Sequence, residues 1–139
     1  MKKIAYVVIV TATALLAFLM QVDWNLRQFT DTLNVDPQAI TELKLSLPAE
    51  SIYKTTEDPD KIKAFVDYMN LLSYERIRGD EPSELPMSAS MVYLYAEHDD
   101  KMDFIVIFDE KILISHKFYN VVEKPFEQAF LEDYYNGIE

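Results

Sequence analysis

The chain has 139 residues and a formal net charge of −11, with 24 acidic and 13 basic side chains and no cysteine. The absence of cysteine excludes disulfides, thiol catalysis and cysteine-ligated zinc. The acidic balance argues against a nucleic-acid partner, because affinity for phosphates comes from lysine and arginine.

An uncharged, mostly apolar run over residues 4–20 follows Lys2 and Lys3. As a helix this run is roughly 26 Å long, close to the lower limit for crossing a bilayer. Small residues suited to signal cleavage do not follow Ala17. We therefore expect a retained transmembrane helix with its N-terminus in the cytoplasm and the remaining chain outside. The alternatives are a cleaved signal with a secreted domain and a buried helix of a soluble protein.

Val22, Leu26, Phe29 and Leu33 continue at helical spacing, which predicts an amphipathic stalk that extends to about residue 33. This stripe is expected to pack on the domain itself or on a partner helix near the membrane. The predicted organisation is a membrane anchor and helical stalk over 1–33, a linker over 34–39 and an extracytoplasmic domain over 40–139.

The domain opens with strand patterns and a helix. Residues 40–47, "ITELKLSL", alternate apolar and polar side chains as a half-buried strand does, and 51–56 is a second candidate. Asp58 is a suitable helix cap and Pro59 suits the first helical position. The predicted helix has one apolar face, formed by Ile62, Phe65, Val66 and Met69.

Further strands are predicted at 73–79, 90–97, 103–108 and 111–115, with another candidate at 118–122. The short gaps after residue 90 predict antiparallel neighbours. A last helix is predicted from Pro125, with Gly137 as its C-terminal cap. The predicted fold class is α+β: an antiparallel sheet of four to six strands with two packing helices, preceded by an N-terminal transmembrane helix.

Three segments resemble small anchored or secreted domains of unknown function that are typical of Gram-positive bacteria. They are the strand "ITELKLSL", the helix "DPDKIKAFVDYMNLL" and the hairpin "ILISHKFYNV". The resemblance covers roughly residues 40–122 and rests on structural motifs. It implies a membrane segment before the domain and no catalytic residues.

The stretch "YAEHDDKMDF" places His98, Asp99, Asp100 and Asp103 within six positions. If residues 90–97 and 103–108 form a hairpin, these residues lie at or near its tip, where polar side chains are expected. The calcium-loop pattern is absent, and zinc would need more histidine. We therefore expect a plain hairpin tip and assign no metal ligand, with weak cation binding by these four residues as the alternative.

Common catalytic patterns are missing. The two glycines, Gly79 and Gly137, cannot form a phosphate-cradling loop, which argues against nucleotides, and no serine lies in a G-x-S-x-G motif. We assign no catalytic or cofactor-binding residue.

The predicted function is a membrane-anchored extracytoplasmic accessory or binding module without catalytic activity. The alternatives are a secreted ligand- or inhibitor-type module and an envelope hydrolase that uses a carboxylate pair. The expected partners are the membrane, through residues 4–20, and a membrane protein or a basic protein face, because the domain beyond residue 20 is strongly acidic.

Overall fold

A single antiparallel sheet organises the domain. The computed structural model describes residues 2–21, 26–48, 50, 52–78, 88–97, 100–108 and 110–139. In these residues the sheet has eight strands: β1 (Leu26–Arg27), β2 (Ile40–Ser46), β3 (Lys54–Thr56), β4 (Ser73–Arg76), β5 (Ser90–Ala96), β6 (Lys101–Phe108), β7 (Lys111–Ile114) and β8 (Lys117–Val122). Their spatial order is β1-β4-β8-β7-β6-β5-β2-β3, and every neighbouring pair is antiparallel.

The helices in the described residues are α1 (Lys2–Gln21), α2 (Phe29–Thr32), α3 (Pro59–Asn70) and α4 (Gln128–Asn136), with a 3-10 turn at Pro37–Ala39. Buried side chains of α2, α3 and α4 join one hydrophobic core with alternate residues of the strands. These three helices therefore cover the same face of the sheet, which we call the inner face.

The start of α3 follows the predicted capping chemistry. The Asp58 carboxylate accepts a hydrogen bond from the backbone N–H of Asp60 at 2.9 Å, and Pro59 is the first helical residue. The predicted face is buried: Ile62, Phe65, Val66 and Met69 all lie in the core. At the other end of the chain, Gly137 caps α4, as predicted, and its N–H donates to the carbonyl of Asp133 at 3.0 Å.

The predicted transmembrane helix needs correction. Residues 2–21 do form a helix, but none of the helices in the described residues is both long enough and apolar enough to cross a membrane. Lys2, Lys3 and Gln21 occupy the ends of α1. The uncharged stretch between them is shorter than the roughly 30 Å of a bilayer's hydrocarbon core. The predictions of a transmembrane helix and a signal anchor are therefore wrong, whereas the cellular location stays a prediction.

The segment that follows α1 also differs from the predicted stalk. α1 ends at Gln21, and Leu26–Arg27 pairs with β4 as an edge strand. Phe29 is fully buried, and its ring centroid lies 6.1 Å from those of both Phe65 and Tyr74. Val22 lies outside the described residues. Phe29 and the partly buried Leu33 thus join the core of the domain instead of extending a helix.

The strand number is the second correction to the fold class. Within the described residues the sheet has eight strands where four to six were predicted, and three α-helices besides α1 replace the predicted two packing helices. The two-residue β1 and the four-residue α2 are too short to produce a periodic sequence pattern. They form because neighbouring parts of the fold supply their hydrogen bonds and their apolar contacts.

Asp103 is a fully buried carboxylate that ties three parts of the chain together. It accepts hydrogen bonds from the backbone N–H groups of Asn34, at 2.8 and 3.0 Å, and of Val35 at 2.9 Å. The hydroxyl of Ser115 also donates to it. These donors satisfy a charge that would otherwise be costly to bury. Asp103 therefore fixes the segment before β2 and the turn between β7 and β8 to strand β6.

The Asp103→Asn substitution should lower the free energy of unfolding by about 2–4 kcal/mol. The asparagine amide keeps only one acceptor oxygen, and its NH2 group would face the backbone N–H groups that donate to the carboxylate. Urea denaturation would measure the change. Asp100→Asn is the control: Asp100 is exposed with φ of 47°, a conformation that asparagine tolerates, and it should shift stability by no more than about 0.5 kcal/mol. Equal effects of the two substitutions would contradict the proposed role of Asp103.

The Phe65→Ala substitution should lower the free energy of unfolding by about 3–5 kcal/mol, because the ring is fully buried and its removal leaves a cavity. The same urea experiment would measure it. Lys63→Ala, two positions earlier on α3, breaks only the exposed Lys63–Asp67 ion pair and should cost a few tenths of a kcal/mol. A loss below about 1 kcal/mol for Phe65→Ala would show that the core refills the space.

Stability should fall at alkaline pH. Burial raises the pKa of Tyr74, whose hydroxyl donates to the carbonyl of Met69 at 2.8 Å. Above the ordinary tyrosine pKa of about 10, the unfolded chain releases this proton while the folded chain keeps it. The contribution of Tyr74 to the free energy of unfolding is therefore complete below about pH 10. Above that pH it decreases by up to about 1.4 kcal/mol per pH unit. Urea denaturation from neutral to alkaline pH should show a shallower decrease for Tyr74→Phe, and an unchanged slope would contradict this account.

Candidate functional site

The structure separates Asp100 from Asp103, the two described residues of the predicted cation cluster. β5 and β6 do form a hairpin, with Ala96 paired to Lys101. Asp100 is exposed in the turn, whereas Asp103 is buried and engaged with backbone N–H groups. His98 and Asp99 lie outside the described residues. Among the residues that are described, no three histidine, aspartate or glutamate side chains are grouped so that they could hold a metal ion.

The outer face of the sheet, opposite the helices, carries the most distinctive side chains. Residues of β5 alternate strictly between buried and half-buried, so Met91, Tyr93 and Tyr95 point outwards while Val92 and Leu94 enter the core. Neighbouring positions continue this surface, which we call the tyrosine face and define by six residues: Tyr53, Met91, Tyr93, Tyr95, Met102 and Phe104.

The rings of the tyrosine face contact one another. Tyr93 is central, with ring centroids 4.9 Å from Phe104, 5.9 Å from Tyr53 and 6.2 Å from Tyr95. The Tyr53 hydroxyl lies 3.4 Å from the sulfur of Met91. Such contacts hold the rings in place before any partner arrives, which lowers the entropy cost of binding.

The tyrosine face is neither fully buried nor fully exposed to solvent. Tyr53 is 40% exposed and Met102 is 44% exposed, while the other four residues are half-buried. Partial burial raises the pKa of Tyr93, and its contact with Tyr53 adds to this rise. The Tyr93 hydroxyl therefore stays protonated at neutral pH and offers both a donor and an acceptor position at the edge of an apolar surface.

An acidic cleft of about 540 Å³ adjoins one end of the tyrosine face. Glu42, Glu57 and Glu97 line it, and Tyr95 belongs to both the cleft and the face. Glu57 and Glu97 are exposed, and Glu42 is half-buried opposite Tyr95 on β2. Of the lining residues that the structure describes, none is lysine or arginine, so the cleft presents a local negative charge beside an aromatic ring.

The opposite part of the outer face is closed by its own apolar residues. Val106, Leu113 and Phe118 are buried there together with Ala89, and Ile77, Phe104 and Phe108 pack against them. The central strand β6 is thus covered on both faces, as its continuous apolar sequence predicts. The partly exposed aromatic residues of the outer face lie on β5 and the first half of β6, with Tyr53 beside them.

Only part of this site was visible in the sequence. Alternation in "SMVYLYAE" places Tyr93 and Tyr95 on one face of a strand. The three glutamates of the cleft lie in three separate segments, on β2, before α3 and after β5. Their convergence depends on the pairing of β2 with β5 and on the position of α3, so no local spacing reveals it.

Comparisons of this chain with protein-family models, with curated proteins and with solved structures find no match. The resemblance to small anchored or secreted bacterial domains therefore stays a prediction.

Proposed function

We propose that this protein is a non-catalytic binding module that docks a basic, extended segment of a protein partner on its outer face. The observation that carries the proposal is the tyrosine face, a pre-ordered and partly exposed aromatic and methionine surface that runs into the acidic cleft.

The composition of the tyrosine face suits protein recognition. Tyrosine, phenylalanine and methionine are enriched at protein interfaces, and tyrosine adds hydrogen bonds at low entropy cost. Methionine adapts its shape to varied apolar side chains. The helices already bury the inner face of the sheet, so the rings of the outer face are not needed to close that core.

The charge of the surroundings selects the partner. Three carboxylates line the cleft, the described part of its lining contains no counterion, and the chain as a whole carries −11. A lysine or arginine side chain placed in the cleft would meet these carboxylates and the face of Tyr95, which favours cations. The positively charged Lys44 lies opposite Tyr93. The attraction for a basic side chain is therefore concentrated at the end of the tyrosine face that adjoins Glu42 and Glu97.

The exposure of the cleft favours binding over acid–base catalysis. Catalytic carboxyl groups are commonly desolvated in an enclosed pocket, where burial tunes their proton affinity. Glu57 and Glu97 are exposed instead. Export of the domain as a secreted module stays a separate prediction, which N-terminal mass analysis of the native protein would test.

Amide chemical shifts of the isotope-labelled protein would test docking. The probes are an extended peptide of alternating lysine and valine and its counterpart with glutamate in place of lysine. We expect the basic peptide to shift the resonances of Tyr93, Tyr95 and Met102, with saturation, and the acidic peptide to leave them unchanged. Preference for the acidic peptide, or shifts spread evenly over the acidic surface, would reject the proposal.

Charge reversal at two exposed glutamates provides a matched comparison. Glu97→Lys places a cation in the cleft and should weaken binding of the basic peptide about tenfold. Glu132→Lys changes the same charge on α4, away from the tyrosine face, and should have a much smaller effect. Equal weakening by both substitutions would mean that only the net charge attracts the peptide.

A further inference from the structure

The three arginines of this acidic chain line a single cleft. Arg27, Arg76 and Arg78 are the only arginines in the sequence. They come from β1, from β4 and from the residues just after β4, and they line a cleft of about 630 Å³ together with Glu75, Lys117 and Tyr119. This concentration of cations contrasts with a chain in which acidic side chains outnumber basic ones by 24 to 13.

Strand register explains how distant residues meet there. Arg27 pairs with Tyr74 across β1 and β4, and Arg76 pairs with Tyr119 across β4 and β8. Lys117 precedes Tyr119 by two positions on β8 and so points to the same side of the sheet. The cleft therefore forms at the β1 edge of the sheet, where three strands each contribute a cation.

Arg76 is held in position by the protein. Its guanidinium donates to the carbonyl of Phe118 at 3.1 Å and to the carbonyl of Ile77. The same group lies over the ring of Tyr119, 5.7 Å from its centroid. These bonds use part of the guanidinium and leave further N–H groups for a ligand, because arginine carries five donors.

The positive charges of two arginines both affect the ionisation of the Tyr119 hydroxyl. Burial raises the pKa of Tyr119, and the charges of Arg76 and Arg27 oppose this rise. Both arginines thus lie close enough to the Tyr119 hydroxyl to affect its ionisation. In the described residues, the side chains of Arg78 and Lys117 form no ion pair.

The charge of the cleft selects the class of ligand. The lining residues carry four formal positive charges and one formal negative charge, a balance that favours an anion. A monovalent carboxylate would compensate one of these charges, whereas a phosphate dianion compensates two and accepts several charge-assisted hydrogen bonds. A long polyanion would extend over the acidic remainder of the surface, so a small ligand is favoured.

We propose that the cleft formed by Arg27, Arg76, Arg78, Lys117 and Tyr119 is a binding site for a phosphate group, as inorganic phosphate or as a small phosphate monoester. This site is separate from the tyrosine face and does not depend on the proposed docking function. Arg76 and Arg78 bind the phosphate oxygens through their N–H groups, and Lys117 adds a point charge at the rim.

The arginine side-chain Nε–H resonances offer a direct test, because all three arise from residues of the cleft. Titration of the full chain with inorganic phosphate, phenyl phosphate and acetate, at constant ionic strength, would follow them. We expect saturable shifts with phosphate or phenyl phosphate at roughly 1 mM or below, and the tighter of the two identifies the free ion or the monoester as the ligand. Acetate that binds as tightly, or shifts that do not saturate, would overturn the proposal.

Two lysines provide the matched control. Lys117 and Lys101 are both exposed and both begin a strand, but only Lys117 lines the cleft. Lys117→Gln should weaken phosphate binding about tenfold, and Lys101→Gln should change it less than about twofold. Arg78→Lys keeps the charge but loses the planar fork and should also weaken binding. Equal effects of Lys117→Gln and Lys101→Gln would show non-specific attraction and reject the site.

Discussion

The helices that pack on the sheet cover only its inner face, and most other features of the domain follow from this constraint. Each central strand supplies apolar side chains to the core on its inner side. Its outer side chains are either covered by a second apolar cluster, as on β6 and β7, or partly exposed, as on β5. β5 meets this demand by alternating Val92 and Leu94 with Tyr93 and Tyr95. Tyrosine suits the outer position because its ring packs on neighbouring rings while its hydroxyl reaches water. The tyrosine face is thus a direct consequence of a sheet with helices on one side.

The buried carboxylate of Asp103 connects this sheet to the segment that enters it. Asn34 and Val35 donate their backbone N–H groups to Asp103, so the chain between α2 and β2 is bound to the centre of the sheet. The turn after β7 takes part as well: Ser115 and His116 have φ of 45° and 73°, as a two-residue hairpin turn requires. Ser115 adopts this unfavourable conformation while its hydroxyl donates to Asp103. The hydrogen bond offsets part of the backbone cost.

Two clefts of opposite charge lie towards opposite edges of the same sheet. The acidic cleft is beside β2 and β5, and the arginine cleft is formed by β1, β4 and β8. β2 and β4 are five steps apart in the strand order, roughly 24 Å at the usual strand spacing. Exposed charges at that separation are largely screened at physiological ionic strength, where the Debye length is about 8 Å. A basic segment and a phosphate group could therefore occupy the protein independently.

The amino-acid sequence by itself determined those elements whose signals are local. The alternation of "ITELKLSL", the Asp58-Pro59 start of α3 and the burial of Ile62, Phe65, Val66 and Met69 were all predictable, because period and capping act over a few residues. Tertiary structure decided the rest. The edge strand Leu26–Arg27 exists only because β4 pairs with it. Asp103 is buried and not exposed in the hairpin turn, because it accepts hydrogen bonds from backbone N–H groups nearly 70 positions away in the chain. Arg27 meets Arg76 and Lys117 for the same reason: strand pairing sets their proximity, and no spacing along the chain encodes it.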